Sequence, residues 1–344
     1  MSTRPAKPRR TARLADVAKA AGVGTSIVSR VLNSDPTVSI RPETRERILE
    51  AARRLNYRPN ALGRGLKLAR TMTLGLVVNL DYGEVGEIVS AVERRAADAD
   101  YTTLIADAKA FVERGDTYRR LLFEGRVDGL LIASGLANDE LVRELSGKGV
   151  PFVLLNRRLA GVEPSVTVDD ALGARIGVEY LLRLGHRRIG YIAGPEYADV
   201  ARRRLKGVRG ALRDAGLRLP EGQLVHGALA EDAGYDAMER LVGARRPPTA
   251  VAIWSPTAAF GALAAAKRRG LRVPDDISIV AFQDLPVAAF FDPPLTTVRM
   301  PLREMADRGV EILLRLVDGD DAKSIVVHSP PELVARSSTG PPAV

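Results

Sequence analysis

The chain of 344 residues contains no cysteine, which excludes disulfides, cysteine-ligated zinc and thiol catalysis. Aromatic residues make up only 5% of it. The three histidines, His186, His226 and His328, are scattered, and His186, placed between a helix and a strand, reads as structural. No phosphate-binding glycine loop, GxSxG elbow or metal-spaced cluster is present. These absences speak against an enzyme, and no cofactor is expected. No apolar run approaches the ~20 residues that a membrane-spanning helix needs, and the N-terminus lacks the apolar centre of a signal peptide. A cytoplasmic protein without membrane contact is therefore expected.

What the chain does have is charge, unevenly placed. Residues 1–70 hold 16 Lys+Arg against 5 Asp+Glu, a surplus of 11 in a chain whose total is +9, so residues 71–344 are net −2. A basic balance confined to one small region is the footprint of a polyanion partner, because each neutralised phosphate releases counterions. Residues 1–13, with Arg4, Lys7, Arg9, Arg10 and Arg13 around Pro5 and Pro8, lack an apolar pattern and read as a disordered basic arm.

Residues 14–33 read LADVAKAAGVGTSIVSRVLN. Leu14, Val17, Ala18 and Ala21 fall on one face of a short helix that Gly22 breaks, and Ile27, Val28, Val31 and Leu32 form the inward set of a second. The opposite side of the second helix carries Ser26, Ser29, Arg30 and Asn33, with Thr25 at its start. Two short helices joined by a tight turn, the second exposing small hydrogen-bonding residues and one arginine, match a helix-turn-helix, although an ordinary helical hairpin has the same pattern. A third helix is predicted over 42–55, with Ile48, Ala51, Ala52 and Leu55 inward, capped by Ser39 or by Arg41 ahead of Pro42. Residues 60–68 form a short helix weakened by Gly63 and Gly65, which reads as a segment that orders on a partner or as a plain linker.

From residue 73 short apolar runs (TLGLVVN, YTTLIAD, VDGLLIA, PFVLLN, then RIGYIAG, QLVHG, AVAIWS, ISIVAFQ) alternate with amphipathic helices predicted over 85–99, 113–124, 138–147, 170–184, 201–215, 231–242 and 257–269. Strands that are apolar throughout, separated by helices, indicate parallel sheets covered on both faces. Two such series in tandem indicate two doubly wound α/β lobes, with ligands bound at the carboxyl ends of the strands.

The helix-turn-helix, VDGLLI, DDALGARIGVEYLLRLGHRRIGYIAGP, RRRLKGVRGAL, LRVPDDISIVAF, PLTTVRMP and PPELVARSST together resemble the lactose-repressor (LacI/GalR) family of bacterial transcription regulators, in order, from about Leu14 to Thr339. The resemblance implies a small all-α helix-turn-helix domain (14–58) after the basic arm (1–13), then a hinge (59–72). Beyond the hinge it implies a two-lobed core similar to periplasmic binding proteins (73–336) and a tail (337–344). The N-lobe would be about 73–166 plus a return segment near 296–320, and the C-lobe about 167–292. It also implies a homodimer on palindromic double-stranded operator DNA whose affinity is controlled by a small effector. The chain ends without a heptad repeat, so a dimer rather than a tetramer is expected.

By the same resemblance, Thr25, Ser26 and Arg30 occupy base-reading positions, while Ser29, Asn33 and Tyr57 lie near phosphates. Leu66 matches the leucine that wedges into the minor groove, flanked by Arg64 and Lys67. Gly24 and Ile27 replace the family's usual Ser and Thr, and Gly63 its usual hinge Ala. In the effector pocket Arg204 matches the arginine that grips hydroxyls or carboxylates. Asn156 and Gln283 stand where many members carry Asp, Ser255-Pro256 replaces Asn-Asp, and Leu229 replaces a frequent aromatic. Tyr82 lies near a segment that departs from the family, and Trp254 reads as a stacking partner or as core. The resemblance thus implies a sugar, sugar acid or sugar phosphate as effector, with the loss of acids tilting the expectation toward an anion. A sequence-independent nucleoid-type DNA-binding protein with a vestigial pocket is the rival reading.

Overall fold

The computed structural model describes residues 12–32, 35, 37–57, 70–80, 83, 85–109, 124–134, 139–227 and 230–343. The chain divides into two units, 1–71 and 72–344.

In the smaller unit α1 (Leu14–Ala21) opens with the Asp16 carboxylate accepting the Arg13 N–H at 2.8 Å. It stops at Gly22, whose φ of 66° is a left-handed conformation that favours glycine. The Gly24 carbonyl accepts the N–H groups of Ile27 and Val28 and so starts α2 (Thr25–Leu32). Helix α3 (Pro42–Arg54) begins with Pro42 in its first turn and Arg41 before it, which resolves the choice between Arg41 and Ser39, and it ends one residue before the expected Leu55. The Arg47 guanidinium donates to the Ala21 carbonyl at 2.9 Å and ties α3 to the end of α1. Val17, Ala18, Ala21, Val28, Val31, Ile48, Ala51 and Ala52 form the core, with Leu14, Leu32, Leu55 and Tyr57 packed around it. Ile27 departs from the sequence expectation. It sits on the boundary of the helix stripe, points outward at 36% exposure and does not pack on this core.

The larger unit runs β1 (Thr73–Val78), α4 (Val85–Ala97), β2 (Thr102–Asp107), β3 (Gly129–Ala133), α5 (Asp139–Gly147), β4 (Phe152–Leu155) and β5 (Ser165–Thr167). It continues with α6 (Asp170–Arg183), β6 (Ile189–Ile192), α7 (Asp199–Asp214), β7 (Leu224–Val225), α8 (Glu231–Val242), β8 (Ala250–Ile253) and α9 (Pro256–Arg268). Last come β9 (Ser278–Phe282), β10 (Thr296–Arg299), α10 (Leu302–Val317), β11 (Ile325–Val326) and β12 (Glu332–Val334). One sheet has the order β11-β5-β4-β3-β1-β2 and the other β12-β10-β9-β8-β6-β7. Among the described residues every pairing between these strands is parallel except β10 with β12. Strands β4, β6, β8 and β9 are buried at every residue, as continuous apolar runs in a doubly covered sheet require. The helix expected over 113–124 and the short helix over 60–68 lie outside the described residues, apart from Glu124 at the end of the former.

Two boundaries differ from expectation. Thr296 does not start the return to the first sheet: β10 pairs with β9 in the second, Thr296 opposite Val280, because its buried Thr-Thr-Val face extends that core. The chain crosses after β10, where α10 packs on β3, β4 and β5, and β11 extends the first sheet beyond residue 320 before β12 returns to the second. Nor is 337–343 a loose tail. Ser338 is fully buried, its carbonyl accepts the Ile279 N–H at 2.8 Å, and its Oγ accepts the Thr296 N–H at 2.8 Å while donating to the Ile279 carbonyl.

One close approach sets up the site. A Cβ on Gly207 would lie 2.0 Å from the Ala171 carbonyl oxygen. Only glycine lets α7 lie this close to the start of α6, where the Asp170 carboxylate is buried.

Candidate DNA-reading helix and effector cleft

On α2 the side chains of Thr25, Ser26 and Arg30 are exposed and Ser29 is half-buried, while Val28 and Val31 face the core. The helix carries no acidic residue. Arg30 Nε lies 3.3 Å from Asp35 Oδ2, and Asp35 Oδ1 accepts from the Thr37 backbone and hydroxyl at 2.9 and 2.6 Å. The arginine is thus held loosely on the open face, with 52% of its side chain exposed. Tyr57 is half-buried against the three-helix core. Asn33, Arg64, Leu66 and Lys67 lie outside the described residues.

The ends of β3, β4, β6, β8 and β9 converge on a cavity of about 100 Å³. Its walls include Val85, Ile88, Leu155, Tyr197, Val200, Trp254 and Leu302, and its polar groups are Ser134, Asn156, Arg157, Asp199, Arg204 and Gln283. The sequence expectation placed Asn156, Arg204 and Gln283 here, and the structure brings all three together. It does not bring Ser255: that side chain accepts the Ala258 N–H at 3.2 Å and caps α9, with Pro256 in the first turn, and is absent from the cavity wall. A serine before proline at a helix start has a backbone N–H to satisfy. Tyr82 and Leu229 lie outside the described residues.

Several residues that sequence reasoning missed organise the site. Asp170, fully buried, pairs with Arg204 Nε at 2.9 Å and Arg203 Nη1 at 2.6 Å. Arg204 also donates to the Trp254 carbonyl. Arg203 reaches Asp199 at 3.0 Å and donates to the carbonyl and side-chain oxygens of Asn156 at 3.1 and 3.2 Å. Arg157 pairs with Asp139 and donates to the Ser134 carbonyl at 3.0 Å. Burial lowers the Arg157 pKa from its ordinary value, and nearby Asp199 offsets part of this. These three arginines therefore each have an aspartate partner, and Arg202 Nη2 lies 3.9 Å from Asp199 Oδ1 as a fourth. The paired aspartates of Asp169-Asp170 and the triple arginine 202–204 were the available signals.

Gln283 is almost wholly buried, with φ of 83°, an unusual backbone for a non-glycine residue and of the kind that collects at functional sites. Its Nε2 donates to Glu87 Oε2 at 3.1 Å, and its Oε1 accepts from no described residue. Desolvation raises the Glu87 pKa against the opposing pull of Arg303 and Arg299. Asn156, at φ 49°, ends β4 in the same way. Among the described residues no group of three His, Cys, Asp or Glu is placed to hold a metal, and no helix is long and apolar enough to cross a membrane.

A three-helix unit with a polar, anion-free recognition helix, joined in one chain to two parallel sheets around a ligand-sized cleft, defines a DNA-binding regulator that responds to a small molecule. Residues 13–60 match the bacterial regulatory proteins of the lacI family, and residues 178–339 match the periplasmic binding protein-like domain. The chain is 35% identical to the HTH-type transcriptional repressor PurR of Proteus mirabilis (strain HI4320), over 95% of this chain and 96% of that one. It is 36% identical to the HTH-type transcriptional repressor CytR of Escherichia coli (strain K12), over 97% and 98%. A solved structure of the lac repressor dimer bound to operator and the anti-inducer ONPF matches with a TM-score of 0.82 and 28% identity, covering 96% of this chain and all of that one. The chain belongs to the LacI family: it is a DNA-binding transcriptional repressor with an effector-binding core, and not an enzyme.

Proposed function

We propose that the protein represses transcription as a homodimer on a palindromic operator, and that an uncharged, hydroxyl-rich effector such as a sugar sets its operator affinity from the cleft. Thr25, Ser26 and Arg30 are the base-reading side chains in this reading, with Ser29 and Tyr57 at phosphates. Asn156, Arg204 and Gln283 bind the effector. A two-fold dimer is supported by the similar lac repressor structure, a dimer on its operator, and by the symmetry that a palindrome demands.

The observation that carries the effector class is the charge balance of the cleft. The resemblance, with Asn156 and Gln283 in place of the family's acids, favours an anion, but Arg204 and Arg203 already share the buried Asp170 carboxylate, Arg203 also faces Asp199, and Arg157 faces Asp139. The arginines of the cavity wall, Arg157 and Arg204, are thus already paired with carboxylates and offer N–H donors, while Gln283 Oε1 offers an acceptor. An anion would compete with these carboxylates for the same N–H groups, beside a Glu87 that burial already disfavours as an ion.

The test begins with a duplex selected from a random library by the full-length protein. Its affinity should exceed that for a random duplex by roughly 10³-fold or more in a salt titration; equal affinities would favour a sequence-independent binder. Sedimentation should show a dimer at micromolar protein. In thermal melts neutral mono- and disaccharides should stabilise the core, by about 2.7 kcal/mol at a hundred times Kd. Stabilisation by sugar phosphates or sugar acids alone would overturn the neutral assignment.

A further inference from the structure

Ile27 is the one large apolar side chain of α2 that neither enters the core nor packs on it: Val28 and Val31 are buried and Leu32 packs on the cluster, while Ile27 is 36% exposed. It stands in the first turn, beside Ser26 and one helical turn before Arg30. Those neighbours are polar, and Gly24, Thr25 and Ser26 are short, so the isoleucine is the longest side chain of that turn. A β-branched residue exposed to water in an eight-residue helix gains nothing in helix propensity and leaves apolar surface wet. The first turn of a recognition helix is the part that meets base edges in the major groove. The apolar feature there is the C5-methyl group of thymine.

We propose that Ile27 reads a thymine methyl group in each operator half-site, as a specificity-determining residue alongside the polar readers. The inference rests on α2 being the DNA-reading helix. Ser26 and Arg30 supply hydrogen bonds to base edges, and Ile27 supplies discrimination by excluding water from one methyl and leaving cytosine, which lacks it, a poor fit.

The experiment uses the full-length protein and its selected duplex. Each thymine of the half-site is replaced in turn by uracil, which deletes the methyl and leaves every hydrogen-bonding atom in place, and Kd is measured by fluorescence anisotropy at fixed salt. At one symmetric position uracil should weaken binding about fourfold per half-site, or about sixteenfold for both, the equivalent of ~0.8 kcal/mol per buried methyl. In Ile27→Ser this gap should close, so that thymine and uracil duplexes bind alike. Ile27→Val should keep it, and Leu49→Ser, at an exposed leucine of α3, should leave it untouched. Because the readout is a ratio within one variant, a general loss of stability or affinity does not mimic it. The inference is overturned if no thymine is methyl-sensitive. It is equally overturned if the gap survives in Ile27→Ser but closes in Thr25→Ser, which would assign the methyl to threonine. Failure to select any preferred duplex would instead overturn the reading of α2 on which the inference rests.

Discussion

Gln283 Nε2 and Glu87 Oε2 are 3.1 Å apart, so a residue at the end of β9 in the second sheet is hydrogen-bonded to α4, the helix that packs on β1 and β2 of the first. The amide must turn its NH₂ to the carboxylate, and that leaves its carbonyl as an acceptor without a partner among the described residues. One side chain thus forms a hydrogen bond between the two halves of the core beside the cleft and leaves a buried acceptor without a described partner. In the proposed function, an effector that donates to Oε1 would meet a group already fixed in orientation, which lowers the ordering cost of binding.

The Glu87 pKa is raised, chiefly by desolvation. A raised carboxylate pKa means that its contribution to stability is full below the unfolded value near 4.5 and is lost as pH rises through the folded value. Glu87→Gln removes this ionisation and keeps a hydrogen-bonding partner for Gln283. The variant should melt above the parent at neutral pH, with the difference shrinking as pH falls toward 4.5. A pH-independent difference in thermal melts would contradict the assigned cause.

Arg204 and Asp170 form a buried pair whose members are both almost inaccessible. Removing one member of such a pair typically costs about 3–5 kcal/mol, because the other charge stays buried and uncompensated. Arg204→Ala should fall near the lower end, since Arg203 still faces Asp170. Asp170→Ala should cost at least as much, because it strands two arginines. The double variant should be less destabilised than the sum of the singles in denaturant melts. Additive losses would mean that the two side chains do not act as a pair. Arg204→Lys should keep the fold and lose effector response, since one ammonium cannot serve Asp170, the Trp254 carbonyl and a ligand together.

The apolar runs of β8 and β9 and the amphipathic helices around them were legible because continuous burial and helical period both leave a pattern along the chain. Strands β5, β11 and β12 were not, since two or three residues carry no period, and β11 and β12 pair with strands that lie far away in sequence. Ile27 was misplaced for a related reason: on an eight-residue helix a boundary position has the same spacing as a core one. In the cleft, Asn156, Arg204 and Gln283 were legible by motif. Asp170 was hidden because its role depends on arginines more than thirty positions away, brought to it by Gly207 against Ala171. Ser255 shows the converse, a motif position whose side chain the local helix start has already claimed.

Arg30 is the only long donor on the exposed face of α2, and its ion pair with Asp35 is solvent-exposed and worth at most about 1 kcal/mol. Arg30→Ala should therefore leave the melting temperature almost unchanged. It should cost about 1–3 kcal/mol of discrimination between the selected duplex and one with the contacted base changed, as expected for a lost bidentate contact. A gel-shift series in which the variant keeps the full preference would remove Arg30 from the base-reading set.

Ser338 and Gly340 are hydrogen-bonded to strands of the second sheet. His186 Nε2 lies 2.8 Å from the Gly340 carbonyl, which can only accept, so Nε2 carries the proton and Nδ1 accepts from the Thr249 hydroxyl at 2.9 Å. Gly340 N–H in turn donates to Ser278 Oγ, and Ser338 serves Ile279 and Thr296. Deleting 338–344 strands the Ile279 and Thr296 N–H groups, at about 1–3 kcal/mol for each that stays away from water, while the imidazole keeps Ser278 Oγ 3.1 Å from Nε2. The truncated chain should melt several degrees lower while its helix-turn-helix keeps its DNA contacts. Burial lowers the His186 pKa, so the neutral ring's contribution is full above the unfolded value of 6.5 and is lost as pH falls through the folded one. The intact protein should therefore lose stability below pH 6.5, and the truncated one, whose ring is opened to water, should show a flatter acid limb. An unchanged melt and acid limb after truncation would show that the segment seals nothing.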